Sequence, residues 1–205
     1  MKDIAMARRF SGTTLVLATH NPGKLKEFGQ LFPTRRIALV TAADLGLAAP
    51  AETGETLRDN ALLKARAVAR VSGQPALADD SGLCVEALGG QPGVHSADWA
   101  ETGEGRNYQT AMEKIHTLLG PSANRRAQFV CCLALAWPDG HAEVVEGRDE
   151  GEIVWPPRGT GEFGYDPVFR RLGETRTNAE LSPDEKNAGS HRAKALRLLL
   201  ERCFS

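Results

Sequence analysis

The chain has 205 residues, 25 basic and 26 acidic side chains, a formal net charge of -1 and 41% apolar residues. That charge balance excludes a surface that holds a long nucleic acid against salt, so no nucleic acid polymer is expected as a partner. The apolar share supports a real core, in one large domain or two small lobes.

Met1 to Gly12 contains Arg8 and Arg9 but no apolar stretch after them, so it does not read as a signal peptide. Residues 1–12 are expected to be a partly disordered extension. Thr14 to Ala18 (TLVLA) reads as a short strand feeding Thr19-His20-Asn21-Pro22-Gly23-Lys24. A helix then spans Lys24 to Phe32, with Leu25, Phe28, Leu31 and Phe32 on its apolar face. Ile37 to Thr41 reads as a second strand, and Ala48 to Gly54 as a loop. Thr56 opens a helix, and Asp59 makes a variant of the capping box. Leu57, Ala61, Leu62, Ala65, Val68 and Ala69 mark its buried face, Lys64 and Arg66 project elsewhere, and Gly73 ends it.

Pro75 to Ala78 reads as the end of a buried strand that runs into Asp79-Asp80-Ser81-Gly82-Leu83, with Gly82 turning the chain sharply. Gly89 to Gly93 is a loop. Asn107 to Leu119 reads as a helix with Met112, Ile115, Leu118 and Leu119 inside. Gln128 to Trp137 is a strongly apolar strand, Asp139-Gly140 a hairpin signal, and His141 to Glu146 the returning partner. Ser182-Pro183-Asp184-Glu185 is a helix start with a serine cap, proline at N1 and glutamate at N3. Asn187-Ala188-Gly189 ends that helix. Ser190 caps a final one, His191 to Cys203, with Ala195, Leu196, Leu199 and Leu200 buried. Alternating strands and helices with an intruding hairpin predict an α/β fold with a mixed sheet.

The four cysteines, Cys84, Cys131, Cys132 and Cys203, form no C-x-x-C pair, which is not a zinc pattern. Cys84 and Cys131 lie in apolar runs and read as small core residues, and a reducing, cytoplasmic compartment fits. No run approaches a membrane span, so no membrane partner is expected.

Several segments carry chemistry. Asp79 and Asp80 sit side by side, where two carboxylates repel each other, and Mg²⁺ with its preference for oxygen relieves that repulsion. This predicts a metal-assisted site acting on something phosphorylated; an acidic turn capping local amides is the competing reading. Thr19 to Lys24 offers a hydroxyl, an amide, backbone N–H groups and a lysine at a helix start, a setting that favours anions. It is not a Walker A loop, because Leu25 follows Lys24; an ordinary strand–helix turn is the alternative. Gly159-Thr160-Gly161-Glu162-Phe163-Gly164 matches G-x-G-x-x-G, but Pro167 stops any helix from opening there and no βαβ unit surrounds it. The glycines instead set a tight loop presenting Phe163, Tyr165 and Asp166, where an exposed aromatic can stack on a base. Lys186 and Ser190-His191-Arg192 gather cations and donors around a helix break. They read either as a solvated helix start or, through Arg192, as a donor to a carbonyl or phosphate.

In chain order stand T-x-N-P-G-K-x-x-E, E-T-G-x-T-x-x-x-N-A-x-x-K-A, L-A-D-D-S-G-L-x-V-x-x-L-G-G-x-P-G, G-T-G-x-F-G-Y-D-P-x-F and E-L-S-P-x-E-K-N-x-x-S-H-R. Together they resemble the inosine/xanthosine triphosphate pyrophosphatase family, from about Leu15 to about Leu200. The resemblance implies an elongated two-lobed α/β fold with a central substrate cleft, residues 13–205 forming one domain, and a homodimer. It implies Mg²⁺-dependent hydrolysis of the small-molecule purine nucleoside triphosphates ITP, dITP and XTP to the monophosphate and pyrophosphate. It implies Asp80 as general base and metal ligand, and Ser81 as a substrate contact. Thr19, His20, Asn21, Pro22, Gly23 and Lys24 would grip the triphosphate with Lys64 nearby. Phe163, Gly164, Tyr165, Asp166, Lys186, His191 and Arg192 would form the base and sugar pocket. Many members carry two glutamates before T-G; here Ala51 takes the first place, and Glu52 is the acid left as a second metal ligand. Two other readings stay open: a module that senses purine triphosphates without turnover, and a pyrophosphatase for pyrimidine triphosphates. The Asp79-Asp80 pair argues against a pure sensor.

Overall fold

The computed structural model describes residues 7–19, 37–160 and 163–204. The expected helix over Lys24 to Phe32 lies outside them. Two compact units divide the chain, one within Met1–Asp80, Cys132–Gly147 and Lys194–Ser205, the other from Ser81–Cys131 and Arg148–Ala193.

Six strands among the described residues form one mixed sheet in the order β2-β1-β3-β6-β7-β8. β1 is Thr14–Leu17, β2 Ala38–Thr41, β3 Ala76–Val85, β6 Arg126–Ala136, β7 Ala142–Ile153 and β8 Phe169–Arg171. A two-stranded ribbon of β4 (Glu101–Thr102) and β5 (Gly105–Arg106) stands apart. β1 runs parallel to β2, with Thr14 opposite Ala38, and parallel to β3, with Val16 opposite Ala76. β8 runs antiparallel to β7, with Phe169 opposite Ile153. The α/β class and mixed sheet are as the sequence predicts. A parallel pair needs a crossover; α1 (Leu57–Ser72) lies in the connection that brings β3 back beside β1.

In the first unit, Thr56 caps α1: its hydroxyl accepts from the Asp59 N–H at 3.1 Å and donates to the Asp59 carboxylate at 2.7 Å. Gly73 closes the helix in the left-handed region, its N–H donating to Ala69 O. Leu57, Ala61, Ala65, Val68 and Ala69 are buried as expected, and Leu62 is half-buried. Lys64 corrects the sequence reading. It is buried, because position 64 falls seven residues after Leu57 and three after Ala61, on the apolar face itself. Arg66 does face solvent.

Within the stretch expected to be partly disordered, residues 7–12 lie against the first unit. Phe10 stacks on Phe204 with ring centroids 5.0 Å apart, and its N–H donates to Cys203 O at 2.7 Å. The Arg8 N–H donates to Glu143 Oε1 at 3.0 Å. Of the final helix, α4 (His191–Cys203), Ala195, Leu196 and Leu199 are buried and Leu200 is half-buried.

The second unit packs around Leu83, Val85, Met112, Ile115, Leu119 and Phe169. Asn107 caps α2 (Tyr108–Leu119), accepting from the N–H groups of Gln109 and Thr110. Leu118, predicted inside, is 52% exposed. It sits a 100° step from Leu119, off the stripe shared by Ala111, Met112, Ile115 and Leu119.

β3 also departs from expectation. It does not end at the aspartates, and Gly82 makes no turn. The strand continues to Val85, alternating through Leu83 and Val85 into the core. Gly82 is required by close approach instead: a Cβ there would stand 2.2 Å from Gly93 O and 2.7 Å from Ser96 Oγ. The predicted hairpin forms, with Trp137 N–H donating to His141 O at 2.9 Å. Its returning strand runs on to Ile153, because the charged stretch after Glu146 alternates and buries Gly147, Asp149 and Gly151. Cys131, Cys132 and Cys203 are buried, Cys84 is half-buried, and none of the four forms a disulfide. No helix among the described residues is long and apolar enough to cross a membrane.

Candidate active site

Glu52 lies in the loop before α1, Lys64 two turns into α1, and Asp80 in the middle of β3. The first unit brings the three together. Lys64 Nζ donates to Asp80 Oδ1 at 2.8 Å and to Glu52 Oε1 at 2.7 Å. Lys64 and Asp80 are buried, whereas the Glu52 side chain is half exposed. Burial is the largest single influence on Lys64 and favours the neutral amine. The charge and hydrogen bond of Asp80, with those of Glu52, together outweigh it and raise the lysine pKa. Lys64 is therefore a buried ammonium.

Asn60, the asparagine of the E-T-G-x-T-x-x-x-N-A-x-x-K-A segment to which the sequence assigns no role, completes this arrangement. Its buried Oδ1 accepts from Gly54 N–H at 2.7 Å and ties the Glu52 loop to α1. Its signal was position: one helical turn before Lys64, on the same face.

The donor set fits Mg²⁺. That ion takes one or two carboxylates and fills its remaining positions with water and substrate phosphates. Asp80 and Glu52 offer two hard carboxylates around one ammonium. Among the described residues, no group of three or more His, Cys, Asp and Glu side chains forms a metal cage. Thr19 is described and half-buried; His20, Asn21, Pro22, Gly23 and Lys24 lie outside the described residues.

The second unit gathers a separate set. Lys186 Nζ pairs with Asp166 Oδ2 at 2.5 Å and lies 4.6 Å from the centroid of the Phe163 ring. Asn178 Nδ2 donates to Asp166 Oδ1 at 3.4 Å. Burial raises the Asp166 pKa despite the opposing charge of Lys186. Phe163 is 49% exposed, which leaves its ring open to a stacking partner. Gly159, with φ +91°, lets this loop pass against the backbone of Ala179, where a Cβ would stand 2.4 Å from Ala179 C.

Tyr165 is not presented as predicted. It points inward at 2% exposure, and its hydroxyl donates to Ser96 O at 2.8 Å. Burial pushes its phenol pKa well up. Asp166 is likewise buried and faces Lys186, not solvent.

Lys186 rides on α3 (Pro183–Ala188), which starts as the sequence predicts. Ser182 Oγ accepts from Glu185 N–H, and the Glu185 carboxylate accepts from Ser182 N–H and from Arg176 at 2.9 Å. The Arg176 guanidinium, with the serine cap, holds the Glu185 carboxyl down at about 2. At the start of α4, Ser190 Oγ accepts from Ala193 N–H. Arg192 is buried, with Nη2 3.5 Å from Ser81 Oγ. The His191 ring stacks on Phe129 at 5.2 Å, and Phe129 meets Phe169 edge-on at 4.6 Å. Phe129 was hidden in an apolar strand, where nothing distinguishes a ring that braces a histidine from ordinary core.

In the first unit, Lys64, Asp80 and Glu52 can hold anionic groups and a hard cation; in the second, the exposed Phe163 ring and the Lys186 and Arg192 donors can meet an aromatic ring with acceptor groups. A 53% identical protein from Rhodospirillum centenum, aligned over 97% of this chain and 98% of its own, is named a dITP/XTP pyrophosphatase. So is a 51% identical protein from Gluconobacter oxydans, aligned over 97% and 95%. The solved structure of a HAM1 protein from Coxiella burnetii superposes with a TM-score of 0.86 at 38% identity, covering 92% of this chain and 96% of that one. The Ham1 family profile matches residues 15–202, and the chain belongs to the Ham1 family.

Proposed function

We propose that this protein hydrolyses non-standard purine nucleoside triphosphates (ITP, dITP and XTP) to the monophosphate and pyrophosphate, with Mg²⁺, as a cytoplasmic homodimer whose residues 13–205 act as one catalytic domain. The observation that carries the reading is the buried Lys64 ammonium shared by Asp80 and Glu52. It places a fixed cation and two carboxylates where a polyphosphate and a divalent ion both find partners.

Asp80 and Glu52 would hold Mg²⁺, which neutralises phosphate charge and improves pyrophosphate as a leaving group. The chain's own groups do the rest. Lys64 uses one lone-pair site of the Asp80 carboxylate, which offers about four; Asp80 accepts a proton from the attacking water and aims it at the α-phosphorus. Lys64, with Lys24, stabilises charge developing on the phosphate oxygens. Thr19, His20, Asn21 and Gly23 supply N–H, amide and hydroxyl donors to the triphosphate, with Pro22 shaping the turn between them. Ser81 contacts the substrate. Phe163 stacks on the base, and Lys186, His191 and Arg192, supported by Gly164, Tyr165 and Asp166, bind base and sugar.

A substrate panel with pyrophosphate detection tests the reading. ITP, dITP and XTP are expected to release pyrophosphate in the presence of Mg²⁺, far faster than ATP, GTP or pyrimidine triphosphates, and chelation is expected to stop the reaction. Binding without turnover would identify a sensor instead. Preference for a pyrimidine triphosphate would overturn the purine assignment.

A further inference from the structure

α3 has six residues, too few to hold its own shape in water. Its N-terminus is closed by the Ser182–Glu185 box. Its C-terminal carbonyls have no helical partners, and a partly buried arginine from β8 takes two of them. Arg171 Nη2 donates to Lys186 O at 2.6 Å, and Nη1 donates to Glu185 O at 3.4 Å. The third edge of the same guanidinium is fixed: Nε donates to Asp149 Oδ2 at 2.7 Å, on β7. The Arg171 and Asp149 side chains are only 12% and 4% exposed. Arg171 stands opposite Gly151 in the β7–β8 pair, so both ends of the ion pair are anchored on neighbouring strands.

We infer that Arg171, braced by Asp149, is a positioning residue for nucleotide binding: it pins α3 to β7 and β8 and so sets where Lys186 holds its ammonium. The path is short. The guanidinium grips the backbone carbonyl of Lys186 itself, and the side chain of that same residue pairs with Asp166 and lies over Phe163. A planar guanidinium serves a carboxylate and two carbonyls at once; a lysine ammonium at position 171 reaches Asp149 but cannot span all three. Arg171 acts through the position of Lys186; its charge also reaches Asp166, and Arg171→Lys keeps that charge. The inference therefore rests on the reading of Lys186 as a pocket residue.

The test is a double-mutant cycle on the full-length protein with Mg²⁺ and ITP. Lys186→Ala is expected to raise KM about tenfold by removing a charged hydrogen-bond donor. Arg171→Lys is expected to raise KM roughly threefold, with kcat nearly unchanged, by loosening that donor. The effect of Arg171→Lys on KM should vanish in the Lys186→Ala background, because no ammonium is left to position. Any loss of Tm should persist in both backgrounds, which separates stability from positioning. Asp149→Asn, which keeps the shape but weakens the hold on the guanidinium, should reproduce the KM signature if Arg171→Lys folds poorly. An unchanged KM in both Arg171→Lys and Asp149→Asn, or equal effects with and without Lys186, would overturn the inference while the pocket reading stands. An unchanged KM in Lys186→Ala would overturn the pocket reading and the inference with it.

Discussion

Asp80→Asn is expected to lower kcat for ITP by about 10²–10⁴, the usual cost of losing a general base, with loss of a metal ligand adding to it. The substitution preserves shape and leaves an oxygen for Lys64 Nζ, now 2.8 Å from Asp80 Oδ1. It removes one of the two negative charges beside that buried ammonium, so some stability is lost as well. Thermal unfolding of the variant separates the two effects: a Tm above assay temperature with a collapsed kcat places the loss in chemistry. Retention of more than half of wild-type kcat would remove Asp80 from the role of base.

Arg192→Ala is expected to shrink the ratio of kcat/KM for ITP over ATP by about 10². Hypoxanthine and xanthine present an acceptor at position 6, where adenine presents an amino donor. A guanidinium has only donors, so it satisfies the 6-keto group and meets the 6-amino group donor to donor. Arg192 is buried with Nη2 near Ser81 Oγ. A mismatch there leaves polar groups unpaired away from water, which is what makes such sites discriminating. GTP shares the 6-keto group, so this contact alone does not exclude it. Equal losses for ITP and ATP would assign Arg192 to phosphate binding or to structure.

Much of this was legible in the sequence where local chemistry decides. Thr56 and Ser182 cap their helices because their hydroxyls fit the first turn, and Gly73 ends α1 because it adopts φ +66° freely. The Asp139-Gly140 turn forms for the same kind of reason. What was misread depends on packing between distant segments. Gly82 resembled a turn residue, yet its hydrogen side chain is needed because Gly93 O crosses β3 there. Lys64 looked like a solvent-facing charge, but two carboxylates, 12 residues before it and 16 after, let it remain buried as an ammonium. Tyr165 sits two residues after the exposed Phe163, yet a carbonyl 69 residues away draws its hydroxyl inward. The Arg171–Asp149 pair spans 22 residues with no motif, so only the pairing of β7 with β8 reveals it.

In the proposed mechanism, a water activated at Asp80 attacks the α-phosphorus. Turnover of ITP in water enriched in heavy oxygen tests it most directly, with both products weighed by mass spectrometry. One heavy oxygen is expected in inosine monophosphate and none in pyrophosphate. Heavy oxygen in pyrophosphate, or release of inosine diphosphate and phosphate, would contradict it.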